Sequence, residues 1–427
     1  MAFFSDLMAT LFERRPASPP GPSKRPISEL CEALLSSQGE ISGVRLARDI
    51  LSHYRAMSLD ERVSFFQHLA QDLDLDPVAV AEAAAKYGTT RSPEDLYRLC
   101  REAEPRRQEL LRRLNQAPGA TEELVRMRLD LLRLVPDTPR LRVIDADFQH
   151  LFASWFNRGF LVLRHIDWRT PANILEKIIE YEAVHAINDW HDLQRRLRPS
   201  DRRCFAFFHP AMPEEPLIFV EVALCKGVPG SVQALLAEER ETESAFDTAV
   251  FYSISNCQEG LRGISFGNSL IKQVVEELKR DLPQVSRFVT LSPVPGLARW
   301  LKELAPQRPE AEALLRAEEP AAIKALADDL RKLTAEYLLK AKRSDGLPVD
   351  PVARFHLGNG ALLHEIHALA DISPNGLRQS RTAMVNYLYD LEKVEQNNES
   401  FVTERKVAAS KQAHALLMQG QTTGRKQ

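Results

Sequence analysis

The sequence predicts an α+β protein in which an all-helical N-terminal domain precedes a mixed-sheet α/β domain. Three observations predict it. Helix-start signals and helically spaced apolar residues run from Ile27 to about Pro136, with few strand signals among them. Two apolar runs, Cys204 to Phe208 and Leu217 to Leu224, flank a proline-rich turn and read as a β-hairpin. A strand–loop–helix–strand pattern then extends from Thr248 to Ser292.

The elements follow in order. Residues 1–26 read as a flexible lead-in, with Pro and basic residues dense from 14 to 26. The helical domain is placed at 27–138. Ser58 and Glu61 have the spacing of a capping box, in which the hydroxyl caps an orphan N–H and the carboxylate reaches back. Ser92-Pro93 starts a second helix, and Thr121 opens a third whose Leu124, Met127, Leu131 and Leu134 share one face. The second domain is placed at 139–427. Its segment Leu151 to Leu163 begins helical and ends as a strand, and Thr170 to Arg196 is helical. An amphipathic helix follows the glycine-marked loop Gln258–Gly267, with Leu270, Ile271, Val274, Val275 and Leu278 on its apolar face. The strand Arg287–Leu291 ends at Ser292-Pro293. Charged, Ala/Leu-rich residues from Glu310 to Lys342 read as surface helices, and the patterned region Pro351 to Asp390 places Asn386 and Tyr389 on a helix. Beyond Arg405 a polar helix fades out.

Composition narrows the function. With 427 residues, 44% hydrophobic and 27% charged, the chain can bury a core without metal or disulfide support. A formal charge of -3 gives no reason to expect nucleic acid or an anionic membrane as partner. The cysteines Cys31, Cys100, Cys204, Cys225 and Cys257 are scattered and contain no C-x-x-C, a pattern that suits a reducing compartment. No apolar run has the length of a membrane span, and the N-terminus lacks the pattern of a secretory signal. The cytoplasm is the expected location.

The loop before the amphipathic helix carries the first chemical signal. A glycine-bearing loop at a helix N-terminus offers backbone N–H groups and a positive dipole end to a phosphate or diphosphate. Arg262 adds a charged donor there. An ordinary Gly-rich turn is the alternative reading. Neither G-x-G-x-x-G nor G-x-x-x-x-G-K-[ST] is present. The arrangement resembles the diphosphate loop of the acetyl-CoA-dependent N-acetyltransferase superfamily, with Arg262-Gly263-Ile264-Ser265-Phe266-Gly267 matching except that Ser265 replaces a usual glycine.

A narrower resemblance rests on several blocks in order. They are Tyr181-Glu182-Ala183-Val184-His185, Arg202-Arg203-Cys204, Phe251 to Ser255, Gln258 to Gly263, Ser292-Pro293-Val294-Pro295-Gly296, Phe355-His356-Leu357, Asn359-Gly360-Ala361, Ala370-Asp371 and Asn386-Tyr387. Together they resemble the malonyl-CoA decarboxylase family over roughly Tyr181 to Tyr389. Ser265 departs from the acidic residue expected in animal relatives. The resemblance implies an acetyltransferase-like mixed-sheet catalytic domain behind a helical domain, and conversion of malonyl-CoA to acetyl-CoA and CO2. It implies Ser292 and His356 as the catalytic pair. Substrate contacts are implied at Arg262, Gly263, Ile264, Ser265, Phe266, Gly267 and Asn268, and again at Ser292 and His356. Ser253, Asn386 and Tyr389 stand as supporting candidates. It also implies a homo-oligomer, a tetramer.

Bland readings compete. A serine before proline is commonly a turn residue, and a lone histidine is commonly structural. Titration near neutral pH suits His356 to proton transfer. A serine-hydrolase use of the pair is disfavoured because Pro293 has no N–H for an oxyanion hole. His364 and His367, three apart on an expected helix, lack a third ligand, so no metal is expected. The implied decarboxylation needs no cofactor, since the thioester is the electron sink. An acyl-CoA-dependent N-acyltransferase and a CoA-binding scaffold without turnover are the competing functions.

Overall fold

Apolar residues at alternate positions bury the two faces of a strand separately, and apolar residues three and four apart bury one stripe of a helix. Both periods organise this chain. The computed structural model describes residues 25–37, 39–237, 246–266 and 270–419. Most of the lead-in, and the end of the polar tail, lie outside the described residues. The chain divides into two compact units. One comprises residues up to Trp155 together with Gly260–Ile264, and the other Phe156–Glu259 with Ser265 onward. No described helix is long and apolar enough to cross a membrane.

The first unit is helical. Ser58 forms the full capping box with Glu61, and Ser92 caps the helix Pro93–Glu102. Leu124, Met127 and Leu131 are fully buried on the helix Ala120–Leu134. Burying a side chain of this size contributes about 1.5–3 kcal/mol. The boundary read at residue 138 falls inside this unit. The helix Arg142–Trp155 stays with it because Asp147 receives the buried Arg107 and Asp145 receives Arg128 at 2.8 Å. Arg128 also donates to the Gly260 carbonyl at 2.7 Å, which ties in the segment Gly260–Ile264.

The second unit is built on an eight-stranded mixed sheet, ordered β1-β2-β3-β4-β5-β8-β6 with β7 paired to β8. Its strands are β1 (Val162–Ile166), β2 (Arg202–His209), β3 (Met212–Cys225), β4 (Thr248–Asn256), β5 (Arg287–Thr290), β6 (Ser292–Pro293), β7 (Leu362–His367) and β8 (Met384–Leu388). The hairpin read from the apolar runs is β2–β3. Alternation sorts its side chains: Phe205 and Phe207 enter the main core, while Cys204, Ala206 and Phe208 enter a second core on the other face. The amphipathic helix, Leu270–Asp281, lays its predicted apolar face on the main core. The antiparallel run β2–β4, the parallel pair β4–β5 and the helix joining that pair form the acetyltransferase-like architecture that the resemblance implied.

Three local readings need correction. The helix Ala327–Lys340 is not a surface helix, because Leu330, Leu333, Thr334, Tyr337 and Leu338 form a fully buried stripe beneath its charges. Asn386 lies on β8 and Tyr389 just beyond it, not on a helix, since β-branched and aromatic residues there pair with β7. His364 and His367 also lie on a strand, β7.

Candidate active site

β4 and β5 run parallel from Thr248 and Arg287 as far as Phe251 and Thr290. A bulge then falls at Tyr252, since Glu221 pairs with Ser253 and Val222 with Phe251. Bulges bend a strand and end regular pairing. Beyond the bulge β4 stays paired with β3 but no longer with β5, and the line of β5 continues as β6, which pairs with β8 through Ser292 and Val385. The opening holds a cavity of about 270 Å³. Apolar groups of Val184, Phe251, Ile254, Pro293, Val352 and Phe355 line most of it, and Ser292 and His356 reach it from one side.

Ser292 and His356 come from distant parts of the chain and meet here. Ser292 begins β6, and His356 occupies the last turn of the helix Pro351–Gly358. Ser292 Oγ lies 3.0 Å from His356 Nε2, and both residues are buried. The serine hydroxyl donates to Thr290 Oγ1 at 2.8 Å. His356 Nδ1 meets the Tyr389 hydroxyl at 2.8 Å. The imidazole stacks on Tyr387 with ring centroids 4.6 Å apart.

The tautomer follows from proton counting. The Tyr389 phenol has one proton and is buried, so donating it to Nδ1 avoids leaving that proton without an acceptor. Nε2 then carries the ring proton and donates to Ser292, whose own proton goes to Thr290. The chain of bonds thus runs one way, from phenol to imidazole to serine to threonine. Burial pushes the His356 imidazole down to about 3, so the ring is neutral at physiological pH. This corrects the expectation of titration near neutrality. In the tautomer set by Tyr389 the imidazole offers Ser292 a proton instead of taking one, the opposite of what a hydrolase nucleophile needs.

The other candidates fall in different places. Asn386 donates to the Thr290 carbonyl at 2.7 Å and so braces the strand line that delivers Ser292. Its oxygen also meets His367 Nε2, which commits that imidazole to a cross-strand bond. Ser253 does not line the cavity; it is buried and donates to the Glu182 carboxylate at 2.8 Å. In the helical unit, Arg262 and Gly263 are exposed, Gly263 has a φ of 84°, and Ile264 is buried. In the second unit, Ser265 is exposed and Phe266 packs partly against the main core. Gly267 and Asn268 lie outside the described residues.

Sequence reading missed several contributors. Glu182 and Val184 stood within a quoted block but had no assigned part. Glu182 accepts the N–H groups of Val184 and His185 at 2.8 and 2.7 Å, so it shapes the segment that brings Val184 to the cavity. Thr290 carried a usable signal, being two residues from Ser292 on an extended strand and so on the same side. Asp350 did also: Asp before Pro is a helix-start pattern, and Asp350 caps the helix that carries His356.

An acetyltransferase-like sheet with a neutral serine–imidazole pair at one side of a mostly apolar cavity defines the class of catalytic domain. Comparison with known proteins narrows it. Residues 159–427 match the family described as Malonyl-CoA decarboxylase C-terminal domain, and residues 73–156 match Malonyl-CoA decarboxylase N-terminal domain. The crystal structure of malonyl-CoA decarboxylase from Rhodopseudomonas palustris is 51% identical, with a TM-score of 0.85, over 92% of this chain and 98% of that one. The enzyme from Agrobacterium vitis is 50% identical, with a TM-score of 0.86, over 92% and 99%. The mitochondrial malonyl-CoA decarboxylase of Anser anser anser is 35% identical over 88% of this chain and 84% of its own. This chain belongs to the malonyl-CoA decarboxylase family.

Proposed function

We propose that the chain converts malonyl-CoA to acetyl-CoA and CO2, with the malonyl group held against Ser292 and His356. The observation that carries this reading is the cavity itself. Ser292 and His356, two of its buried polar side chains, are both neutral hydrogen-bond donors, and no charged side chain lines it among the described residues. A carboxylate placed among apolar walls loses hydration that no cation replaces. Breaking the bond between the carboxylate and the methylene carbon removes the charge from that end as neutral CO2. The electron pair moves into the thioester, and negative charge develops on its oxygen.

Ser292 and the Nε2–H of His356 are the donors at the cavity, and each exchanges its resting bond, to Thr290 and to Ser292 respectively, for one to that oxygen. Such preorganised donors are worth about 3–4 kcal/mol each in comparable sites. The methylene carbon then takes the Nε2 proton and becomes the methyl of acetyl-CoA. As Nε2 gives up its proton, Nδ1 takes the Tyr389 proton, so the ring need not carry a full negative charge. Solvent restores the phenol. No metal or organic cofactor enters these steps, because the thioester accepts the electron pair.

The segment Arg262–Asn268 is the proposed site of substrate contact, on the strength of the sequence resemblance, with the exposed Arg262 guanidinium suited to a diphosphate. Self-association, as a tetramer, is proposed through the helical unit, which leaves Ile41, Val78 and Tyr97 exposed. A cytoplasmic location is proposed on the free thiols of all five cysteines.

The deciding experiment incubates the purified chain with malonyl-CoA alone and follows CO2 and acetyl-CoA together. Equal amounts of both are expected. Acyl transfer to an added amine without CO2, or binding without turnover, would overturn the reading.

A further inference from the structure

Behind the imidazole lies a buried cluster that the proposed chemistry does not use. Asp350 is fully buried. Its Oδ1 accepts the Ala353 N–H at 2.8 Å and so caps the helix on which His356 sits. Its Oδ2 has no hydrogen-bond partner of good geometry among the described residues, and the same holds for the buried hydroxyls of Tyr337 and Tyr387. Tyr387 is the ring stacked on His356, at an interplanar angle of 23°. Tyr337 packs so closely beneath Gly296 that its hydroxyl stands 2.1 Å from where a Cβ would be. Gly296 closes the turn that follows Ser292.

The helix bearing His356 starts on this carboxylate, the Gly296 N–H of the turn after Ser292 acts on it, and its charge acts on Tyr387, the stacking partner of His356. A buried carboxylate is costly unless the fold or the chemistry uses it. Helix capping alone would account for one oxygen, and a serine would serve as well. The Tyr337 hydroxyl and the Gly296 N–H act on the carboxylate too, which leaves the charge beside Tyr387, whose hydroxyl has no partner among the described residues, to call for another account.

We propose that Asp350 is a positioning residue for proton delivery: through the helix cap and through Tyr387 it sets the plane of the His356 imidazole. The proposal rests on His356 as the proton donor described above. Its consequence is specific. Misaligning a proton donor slows the protonation step while leaving the binding of the distant part of the substrate untouched.

The test uses the full chain with Asp350→Asn, Tyr387→Phe, Tyr387→Leu and, beside them, His356→Asn. Asparagine caps a helix about as well as aspartate, so Asp350→Asn changes the charge and keeps the cap. Tyr387→Phe removes the hydroxyl and keeps the stack, and Tyr387→Leu removes both. For each we measure kcat, KM for malonyl-CoA, the solvent deuterium isotope effect on kcat and the thermal midpoint. Asp350→Asn and Tyr387→Phe should lower kcat about tenfold and Tyr387→Leu about a hundredfold, with KM within about twofold. The isotope effect should rise as protonation becomes slower. Unchanged kcat in the Asp350 and Tyr387 variants, with His356→Asn inactive, overturns the positioning proposal alone. Losses that follow the folded fraction, with an unchanged isotope effect, overturn it equally. Full turnover in His356→Asn overturns the proton-donor reading and this proposal with it.

Discussion

The two sides of the cavity are held together by opposite means. On the side of Ser292 and His356 the groups are neutral and joined by a directed chain of hydrogen bonds. On the side of Val184 the wall is anchored by charge. Glu182 grips the N–H groups of Val184 and His185, and Arg196 donates to the carbonyls of His185 and Ala186 while pairing with the buried Glu221 at 2.8 Å. Burial pushes the Glu221 carboxyl up to about 7 against the pull of Arg196. The difference teaches a division of labour. Neutral donors are held in a chain with one another, from which they can turn to charge that appears during reaction, whereas charged side chains are spent on holding backbone.

The sharpest way to break this comparison is to remove a donor. His356→Asn should lower kcat by about 10²–10⁴-fold, with retained binding of a CoA analogue measured by calorimetry. Ser292→Ala should fall toward the lower end of that range. A near-normal kcat in both would place the chemistry elsewhere.

On the charged side the expected loss is of stability. Arg196→Met strands Glu221 in the interior and frees two carbonyls, which should cost about 3–5 kcal/mol in urea unfolding. Replacing Glu221 as well, by Met, should restore part of it. A single variant as stable as the parent would show that the pair does not hold the wall.

How far the sequence anticipated this arrangement depends on the kind of signal each residue carries. Capping serines and amphipathic faces were legible because their physics is local: Ser58 needs only Glu61, and Leu270 to Leu278 need only helical spacing. Ser292 and His356 were legible only through resemblance, since a serine before proline and a histidine on a short helix look ordinary alone. The hydrogen bonds of Tyr389 and Asn386 were not legible, because the short segment of β8 has no pattern that separates strand from helix and the partners are distant in sequence. The domain boundary was misplaced for a related reason. The Arg107–Asp147 and Arg128–Asp145 pairs join residues on different helices, and no local pattern announces them.

The neutrality of His356 can be tested through folding. Its folded-state value near 3 lies below the ordinary histidine value of 6.5. Above 6.5 both native and unfolded chains hold the ring neutral, and its contribution to stability is fully present. As pH falls from 6.5 toward 3 the unfolded chain takes up a proton that the native chain refuses, so that contribution is progressively lost. His185, lowered by burial to about 4, behaves alike, so the useful quantity is a difference. His356→Gln should lose less stability than the parent between those pH values in parallel urea titrations. Identical pH dependence would mean that the imidazole is hydrated and charged like an exposed one.

The smallest expected effect separates the two sides most cleanly. Ser253 is within the sheet next to the bulge, and its position in sequence made it a candidate for the chemistry. Its hydroxyl, however, is committed to both Glu182 oxygens at 2.8 Å. Glu182 keeps its two backbone donors when that hydroxyl is deleted, so Ser253→Ala should cost only about 1 kcal/mol, one hydrogen bond's worth. Because Val184 stays anchored through those donors, kcat and KM should both remain within about twofold of the parent, a spread of under 1 kcal/mol. A fall in kcat without a matching loss of stability would move Ser253 from the wall to the chemistry. The two sides of the cavity would then have to be treated as one site.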